Sequence, residues 1–303
     1  MVRSRRKSYK KKVKSLDNLI GWLFCSPLLI GLSVFFFIPL GYAVYLSFTN
    51  YSFANIDSYT FVGFDNYITA FKDEWFTRSL LNALINCIGV PIGMTIALIL
   101  SNFLINNKRF STLFRVIYYI PTICGTVAIT FIWQWMYQPM YGLLNTWLGA
   151  FGIKTVNFLG SDMFLGSMIA MGVWNGFGTS VLLLFAALKN VSKSLYEAAS
   201  IDGAGGIRKL WHITIPGVSP TLFFILVTGI SGSFQDFARF QVMRGNQITE
   251  WSVMPVWYIY KYTSVQFNYQ LGYASAMGII LGLIIIVISG IQQIISRKWV
   301  NYA

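Results

Sequence analysis

Six apolar segments of about 20 residues or more constrain the fold of this chain more than any other feature. They cover about residues 19–48, 79–105, 112–138, 163–188, 218–238 and 271–296. A helix needs about 20 mostly apolar residues to cross a bilayer, so each segment predicts one transmembrane helix. The composition agrees, since 55% of the residues are hydrophobic and 11% are charged. The sequence therefore predicts an all-α, polytopic membrane protein with six transmembrane helices.

The basic residues lie unevenly on the two sides of this arrangement. If the basic tail 1–18 is cytoplasmic, seventeen of the 23 Lys and Arg residues are cytoplasmic: Arg3, Arg5, Arg6, Lys7, Lys10, Lys11, Lys12, Lys14, Lys108, Arg109, Arg115, Lys189, Lys193, Arg208, Lys209, Arg297 and Lys298. The positive-inside rule then predicts that both termini are cytoplasmic. We expect residues 19–303 to form one transmembrane domain, with membrane lipid as its surroundings.

The sequence shows no pattern typical of catalysis, metal binding or nucleic-acid binding. Cys25, Cys87 and Cys124 lie inside apolar segments, which is typical of inert buried thiols, and His212 has no companion ligands nearby in the sequence. The net charge of +13 is dispersed between apolar segments and accompanies no nucleic-acid motif. We therefore expect no catalytic residue, no metal site and no nucleic-acid partner.

Glycines recur four residues apart in three of the apolar segments. The pairs are Gly89 with Gly93, Gly172 with Gly176, and Gly278 with Gly282. This spacing lets another helix approach closely, either within the chain or across a dimer.

The segment between the fourth and fifth apolar segments, residues 189–217, is polar and rich in small residues. Ser194–Glu197 fits a capping box, which predicts that a short helix begins at Ser194. Gly203 can take the positive φ that ends such a helix, and residues 207–213 predict a second helix that Pro216 stops. The smooth face left by the small residues suits either an isolated hairpin or a docking site for another protein.

Several motifs resemble those of ABC-importer permeases. Glu197–Ala199, Gly203 and Ile213–Pro216 together resemble the EAA loop of that family, with Ile215 where Leu is usual. Residues 27–39, 45–51 and 61–67 are similar to the carbohydrate-uptake branch, and residues 297–302 resemble the maltose-importer MalF type of subunit. The family usually has a Thr-x-Gly-Gly-Pro turn after the fifth span, whereas this chain has Val242–Glu250, which leaves the outer-loop geometry and the substrate open.

The resemblance implies a type I ABC importer permease fold in a bacterial cytoplasmic membrane. It also implies a second, related permease subunit, two ATPase subunits and an extracellular or periplasmic sugar-binding protein. ATP and Mg²⁺ would bind the ATPase partner, so no cofactor is expected on this chain. The residues implied to couple the chain to the ATPase are Tyr196, Glu197, Ala198, Ala199, Asp202, Gly203 and Ala204.

A sugar presents hydroxyl groups and apolar C–H faces, so a site for it combines polar and aromatic side chains. Two stretches in the apolar segments offer this combination, and similarity to the maltose-importer subunit favours them. The candidate residues are Trp174, Asn175, Thr179, Ser233, Phe234, Gln235 and Asp236. Asp236 has an equally good alternative role, which is to pair with Arg239 at a helix end.

Two other functions remain compatible with the residues. An ion-coupled secondary transporter would need no ATPase, and Asp236 is the one plausible coupling group in the apolar segments. A membrane scaffold or receptor that does not transport would form a stable complex without substrate-stimulated ATP hydrolysis. The leading interpretation is a sugar-importer permease, with an oligosaccharide as the expected substrate.

Overall fold

The computed structural model describes residue 18 and residues 20–106, 111–245, 247–264 and 269–301. The rest of the predicted basic tail, together with Lys108 and Arg109, lies outside these ranges. Within them the chain is helical, with one isolated antiparallel bridge between Thr49 and Phe61. The helices are α1 (Ile20–Ser47), α2 (Asp65–Lys72), α3 (Glu74–Asn86), α4 (Gly89–Asn106), α5 (Ser111–Ile123), α6 (Thr126–Met136), α7 (Leu143–Ala150), α8 (Phe164–Asn190), α9 (Lys193–Ile201), α10 (Gly206–Gly217), α11 (Ser219–Phe234), α12 (Ala238–Arg244), α13 (Pro255–Tyr262) and α14 (Leu271–Ser296), with a 3₁₀ turn at Phe53–Asn55.

The long apolar helices overlap the six predicted spans, and two of those spans are interrupted. In the described residues, four are long and apolar enough to cross a membrane by themselves: Ile20–Ser47, Glu74–Ile105, Phe164–Asn190 and Leu271–Ser296. Two bent pairs, α5 with α6 and α10 with α11, bring the number to six if each pair counts once, and α11 is the part of its pair that lies in the predicted fifth span. The second span starts at Glu74 rather than 79, because the helix is capped by Asp73 and α3 and α4 together make up one candidate span, Glu74–Ile105.

The third predicted span is broken, whereas the sequence predicted one continuous helix over 112–138. Its two halves, α5 and α6, are bent by 104°. Gly125 has a ψ of 136°, which is not helical, and it is the residue from which α6 begins. Pro121 lies near the end of α5 and has no backbone N–H to donate, which weakens the helix just before the break.

The fifth span is also shorter than predicted and begins after a bend. α11 ends at Phe234 rather than at 238, and a bend of 70° separates it from α10. The prediction that Pro216 stops the second short helix is wrong, because α10 continues through it to Gly217. The π-helical turn Leu210–Thr214 precedes it, and proline is tolerated at the start of the helical turn that follows.

Three apolar clusters hold the described helices together, and one of them surrounds Phe76, Tyr258 and Met277. A second surrounds Phe164, Met168 and Phe240, and a third surrounds Leu104, Leu184 and Leu222. The predicted close packing at Gly89 is confirmed, since a Cβ placed there would lie 3.3 Å from Ile169 Cγ2 on α8. This contact brings α4 against α8, and the candidate site described below lies along the same pair of helices.

Asp73 joins three helices at the start of α3. Its Oδ1 accepts hydrogen bonds from the backbone N–H groups of Trp75 and Phe76, at 2.9 and 3.2 Å. Its Oδ2 accepts the hydroxyl protons of Tyr258 and Tyr273, each at 2.8 Å. Burial raises the pKa of Tyr258, so its hydroxyl stays protonated and continues to donate. One carboxylate therefore ties α3 to α13 and α14.

We expect Asp73→Ala to lower the free energy of unfolding by about 3 kcal/mol, because a helix cap contributes about 1 kcal/mol and hydrogen bonds to a charged group about 1.5–3 kcal/mol. Thermal unfolding in detergent measures the effect. Asp65→Ala is the matched control, since Asp65 is exposed in the first turn of α2 and is not its N-cap. Equal losses of stability in the two variants would contradict the role given to Asp73.

Candidate functional site

The polar segment between the fourth and fifth spans forms a hairpin of two short helices, α9 and α10. α9 begins at Lys193 with Ser192 at its N-cap, so the predicted capping box at Ser194 and Glu197 is wrong. Ser194 lies inside the first turn, where its Oγ is 2.7 Å from Ser192 Oγ. Ser192 and Ser194 are both residues that can cap a helix, and the helix is capped by Ser192.

The end of α9 agrees with the prediction made for Gly203. This residue has a φ of +73°, and no heavy atom outside its immediate neighbours lies within 4 Å of a Cβ placed there. The backbone N–H of Ala204 donates to Ala199 O at 2.8 Å, which closes the helix. A glycine is therefore required here by the backbone angle and not by a lack of space.

Side-chain hydrogen bonds fix α10 against α9. Lys209 Nζ donates to Ser200 Oγ at 2.7 Å, and the hydroxyls of Tyr196 and Thr214 are 3.0 Å apart. Of the predicted coupling residues, Glu197, Ala198, Asp202 and Gly203 are exposed, and Tyr196, Ala199 and Ala204 are half-buried. The hairpin is thus braced internally while its acidic and small residues remain open to a partner.

Large apolar side chains also stand out from the hairpin, and the sequence reasoning did not identify them. They are Leu195, Ile201, Ile207 and Trp211, which are between 54% and 88% exposed. A cluster of exposed apolar side chains in a polar segment is typical of an interaction surface. These residues could have been recognised from the sequence, because four large apolar residues occur in a segment that is too short to bury them.

A cavity of about 660 Å³ lies between α4, α8 and α11. Four of the predicted substrate residues line it, namely Asn175, Thr179, Ser233 and Asp236. The polar residues that line it and were not predicted are Asn86, Thr126, Ser180, Thr228 and Arg239. Asn86 could have been noticed because an amide side chain interrupts the second apolar segment.

The other three predicted substrate residues lie away from this cavity. The Trp174 ring packs edge-on against Trp133, with the ring centroids 5.5 Å apart. Phe234 is buried in the apolar cluster around Phe164. Gln235 is exposed and donates to Ser231 O at 3.2 Å. Consecutive residues of a helix point in different directions, so neighbours of Asn175 and Ser233 cannot all face one cavity.

An ion pair between Asp236 and Arg239 contributes the charge at the cavity wall. Arg239 Nε donates to Asp236 Oδ1 at 3.1 Å, and Arg239 Nη2 donates to Asp236 Oδ2. Asn86 Nδ2 is 3.5 Å from the same Oδ2. The side chains of Asp236 and Arg239 are 7% and 17% exposed. The local pairing proposed as one role for Asp236 is therefore present, and it occurs at the cavity.

Hydrogen-bonding capacity at the cavity is not fully used within the chain. The backbone carbonyl of Asn175 accepts from Thr122 Oγ1 at 3.2 Å. Its side-chain Oδ1 is buried and has no hydrogen-bond donor among the described residues. Buried polar atoms are nearly always paired, so the hydrogen bonding of the Asn175 side chain is incomplete in this conformation.

Comparisons with known proteins cover almost all of the chain. A family model described as "Binding-protein-dependent transport system inner membrane component" matches residues 89–301. The probable ABC transporter permease protein YesP of Bacillus subtilis (strain 168) is 33% identical over 300 residues, which is 96% of each chain. The arabinooligosaccharides transport system permease protein AraP of the same organism is 30% identical over 288 residues, covering 92% of this chain and 88% of that protein.

A solved structure gives a close match in fold. It is a bacterial alginate ABC transporter in complex with an alginate pentasaccharide-bound periplasmic protein, and the TM-score is 0.80 at 23% identity. The match covers 95% of this chain and 96% of the other. The fold class predicted from the sequence is thereby confirmed.

Proposed function

Since this chain belongs to the family of binding-protein-dependent transport system inner membrane components, we propose that it is the permease subunit of an ATP-driven importer for an oligosaccharide. The observation that carries the proposal is the family match over residues 89–301, which includes the hairpin and nearly all of the cavity. The names of the relatives, which mention arabinooligosaccharides and alginate, support a sugar.

The position of the hairpin supports a mechanism for coupling. Two residues, Val191 and Ser192, separate α8 from α9, and Val218 alone separates α10 from α11. α8 supplies Asn175 and Thr179 to the cavity, and α11 supplies Ser233. A displacement of the braced hairpin by an ATPase subunit would therefore move two walls of the cavity together.

The proposal includes the partners and the orientation implied by the sequence. ATP and Mg²⁺ bind two ATPase subunits, which contact the hairpin from the cytoplasm, and hydrolysis occurs there rather than on this chain. A second permease subunit completes the pathway, and a binding protein outside the membrane delivers the sugar. Both termini face the cytoplasm, because this places most of the Lys and Arg residues inside.

Reconstitution of the complete transporter tests this function. We expect sugar uptake into vesicles to require ATP and to persist when ion gradients are collapsed, since the energy comes from the ATPase subunits. Uptake by this chain alone, driven by an ion gradient and indifferent to ATP, would instead establish the secondary transporter. A stable complex that neither transports nor shows substrate-stimulated ATP hydrolysis would indicate a scaffold.

A further inference from the structure

We infer that the transported sugar carries no net charge, and that Asp236 and Arg239 act as a closed pair that keeps this side of the pathway neutral. The inference rests on the proposed sugar-importer function and specifies its substrate class. Among the described residues that line the cavity, these two are the charged ones, and their charges are opposite. The rest of its polar lining consists of hydroxyl and amide side chains.

The geometry satisfies Arg239 internally, so its charge is not directed at a ligand. Two of its nitrogens bond to the Asp236 carboxylate, and the pair is largely buried. The guanidinium group lies over Gly172 of α8, where any Cβ would overlap Arg239 Nη1. The glycine therefore leaves the space that Arg239 occupies beside α8 while it bonds to Asp236.

An anionic sugar would meet an unfavourable environment at this wall. A carboxylate or phosphate that leaves water needs a cation or several strong donors to replace its hydration. Among the described residues of this wall the one cation is already bonded to a carboxylate, and the approach of a second anion would place like charges close together. A neutral sugar needs only hydroxyl and amide partners, such as the side chains of Thr179, Ser233 and Asn175 that line the cavity.

The comparisons leave the charge of the substrate open. Arabinooligosaccharides, named for one relative, are neutral, whereas alginate, named for the structural neighbour, is an acidic polysaccharide. The charge pattern of the cavity favours a neutral sugar as the substrate of this chain.

Uptake of paired sugars by the reconstituted transporter tests the inference. The probes are neutral oligosaccharides of mannose, glucose and galactose and the uronic-acid oligosaccharides of matching linkage and length. We expect ATP-driven uptake of at least one neutral member to exceed that of its acidic partner by at least about tenfold. Equal or preferred uptake of an acidic member would overturn the inference but leave the importer intact. No ATP-driven uptake of any member would count against the sugar importer, and the inference would fall with it.

Variants that change the charge of Asp236 or Arg239 distinguish the charge preference of this chain from the charge preference of the binding protein. Binding of the same probes is measured on the purified transporter without the binding protein. Asp236→Asn leaves Arg239 unpaired, so the ratio of acidic to neutral binding should rise by about tenfold, and Arg239→Gln should lower it. The double variant restores neutrality and should return the ratio towards that of the unmodified transporter. A merely structural pair would weaken both probes equally, and an unchanged ratio in all three variants would overturn the inference.

Discussion

Replacing Gly203 by valine is expected to reduce ATP-driven uptake by at least about tenfold while the chain still inserts and folds. The φ of +73° is strongly unfavourable for a β-branched residue, and such strain costs on the order of 1–3 kcal/mol. The least costly relief is to break the closing bond from Ala204 N–H to Ala199 O, which frees α10 from its place against α9. Uptake and ATP hydrolysis are measured on the same reconstituted vesicles.

Gly205→Val is the matched control, because Gly205 has a φ of −70° and a ψ of 169°. Both glycines have open space around the Cβ position, so the two variants differ in backbone strain and not in crowding. Glu197→Lys alters an exposed side chain of α9 and should give the same uncoupled phenotype, with a stable protein and low uptake. Full uptake in the Gly203→Val variant would show that the shape of the hairpin does not matter for coupling.

The spans could be predicted from the sequence because the requirement for about 20 apolar residues depends on the bilayer and on little else. The break between α5 and α6 could not be predicted in the same way. Prolines occur within other membrane helices as well, and at Pro39 the helix α1 continues after a π-helical turn at Ser33–Phe37 and is not broken. The break requires Gly125 to adopt a non-helical ψ, and that conformation depends on the helices packed around it.

The glycine pairs show a similar limit. Their spacing predicted close contacts, and Gly89 and Gly172 do lie against other elements, but Gly176, Gly278 and Gly282 have open space around them. A repeat of small residues marks a smooth helix face, yet it does not specify which neighbour approaches that face.

The residues that line the cavity were predicted only in part. Asn175 and Thr179 are four residues apart, so they share a face of α8, and both line the cavity. Trp174 is on a different face, which helical spacing alone could have indicated. Asn86 reaches the cavity from α3, far away in the sequence, so its proximity to Asp236 required the tertiary structure.

Gly178→Val is expected to prevent most of the protein from folding. A Cβ at this position would overlap the backbone carbonyl oxygen of Tyr118, where α8 crosses α5. Overpacking typically costs 1–3 kcal/mol, and we expect at least about 3 kcal/mol here because a backbone oxygen cannot rotate away as a side chain can. Helix α5 would have to move away from α8, and the hydrogen bond from Thr122 Oγ1 to Asn175 O would be lost. Size-exclusion chromatography of the detergent-extracted protein, before and after heating, measures the folded fraction.

Gly166→Val makes the same substitution in the same helix and is the control. Nothing lies within 4 Å of a Cβ at Gly166, and valine is a better helix former than glycine, so the folded fraction should be unchanged or slightly higher. A milder variant, Gly178→Ala, introduces only the overlapping Cβ and should give an intermediate loss. The same folded fraction and the same thermal midpoint for Gly178→Val and Gly166→Val would contradict this prediction. Such a result would mean that α8 does not contact the backbone of α5 at Gly178.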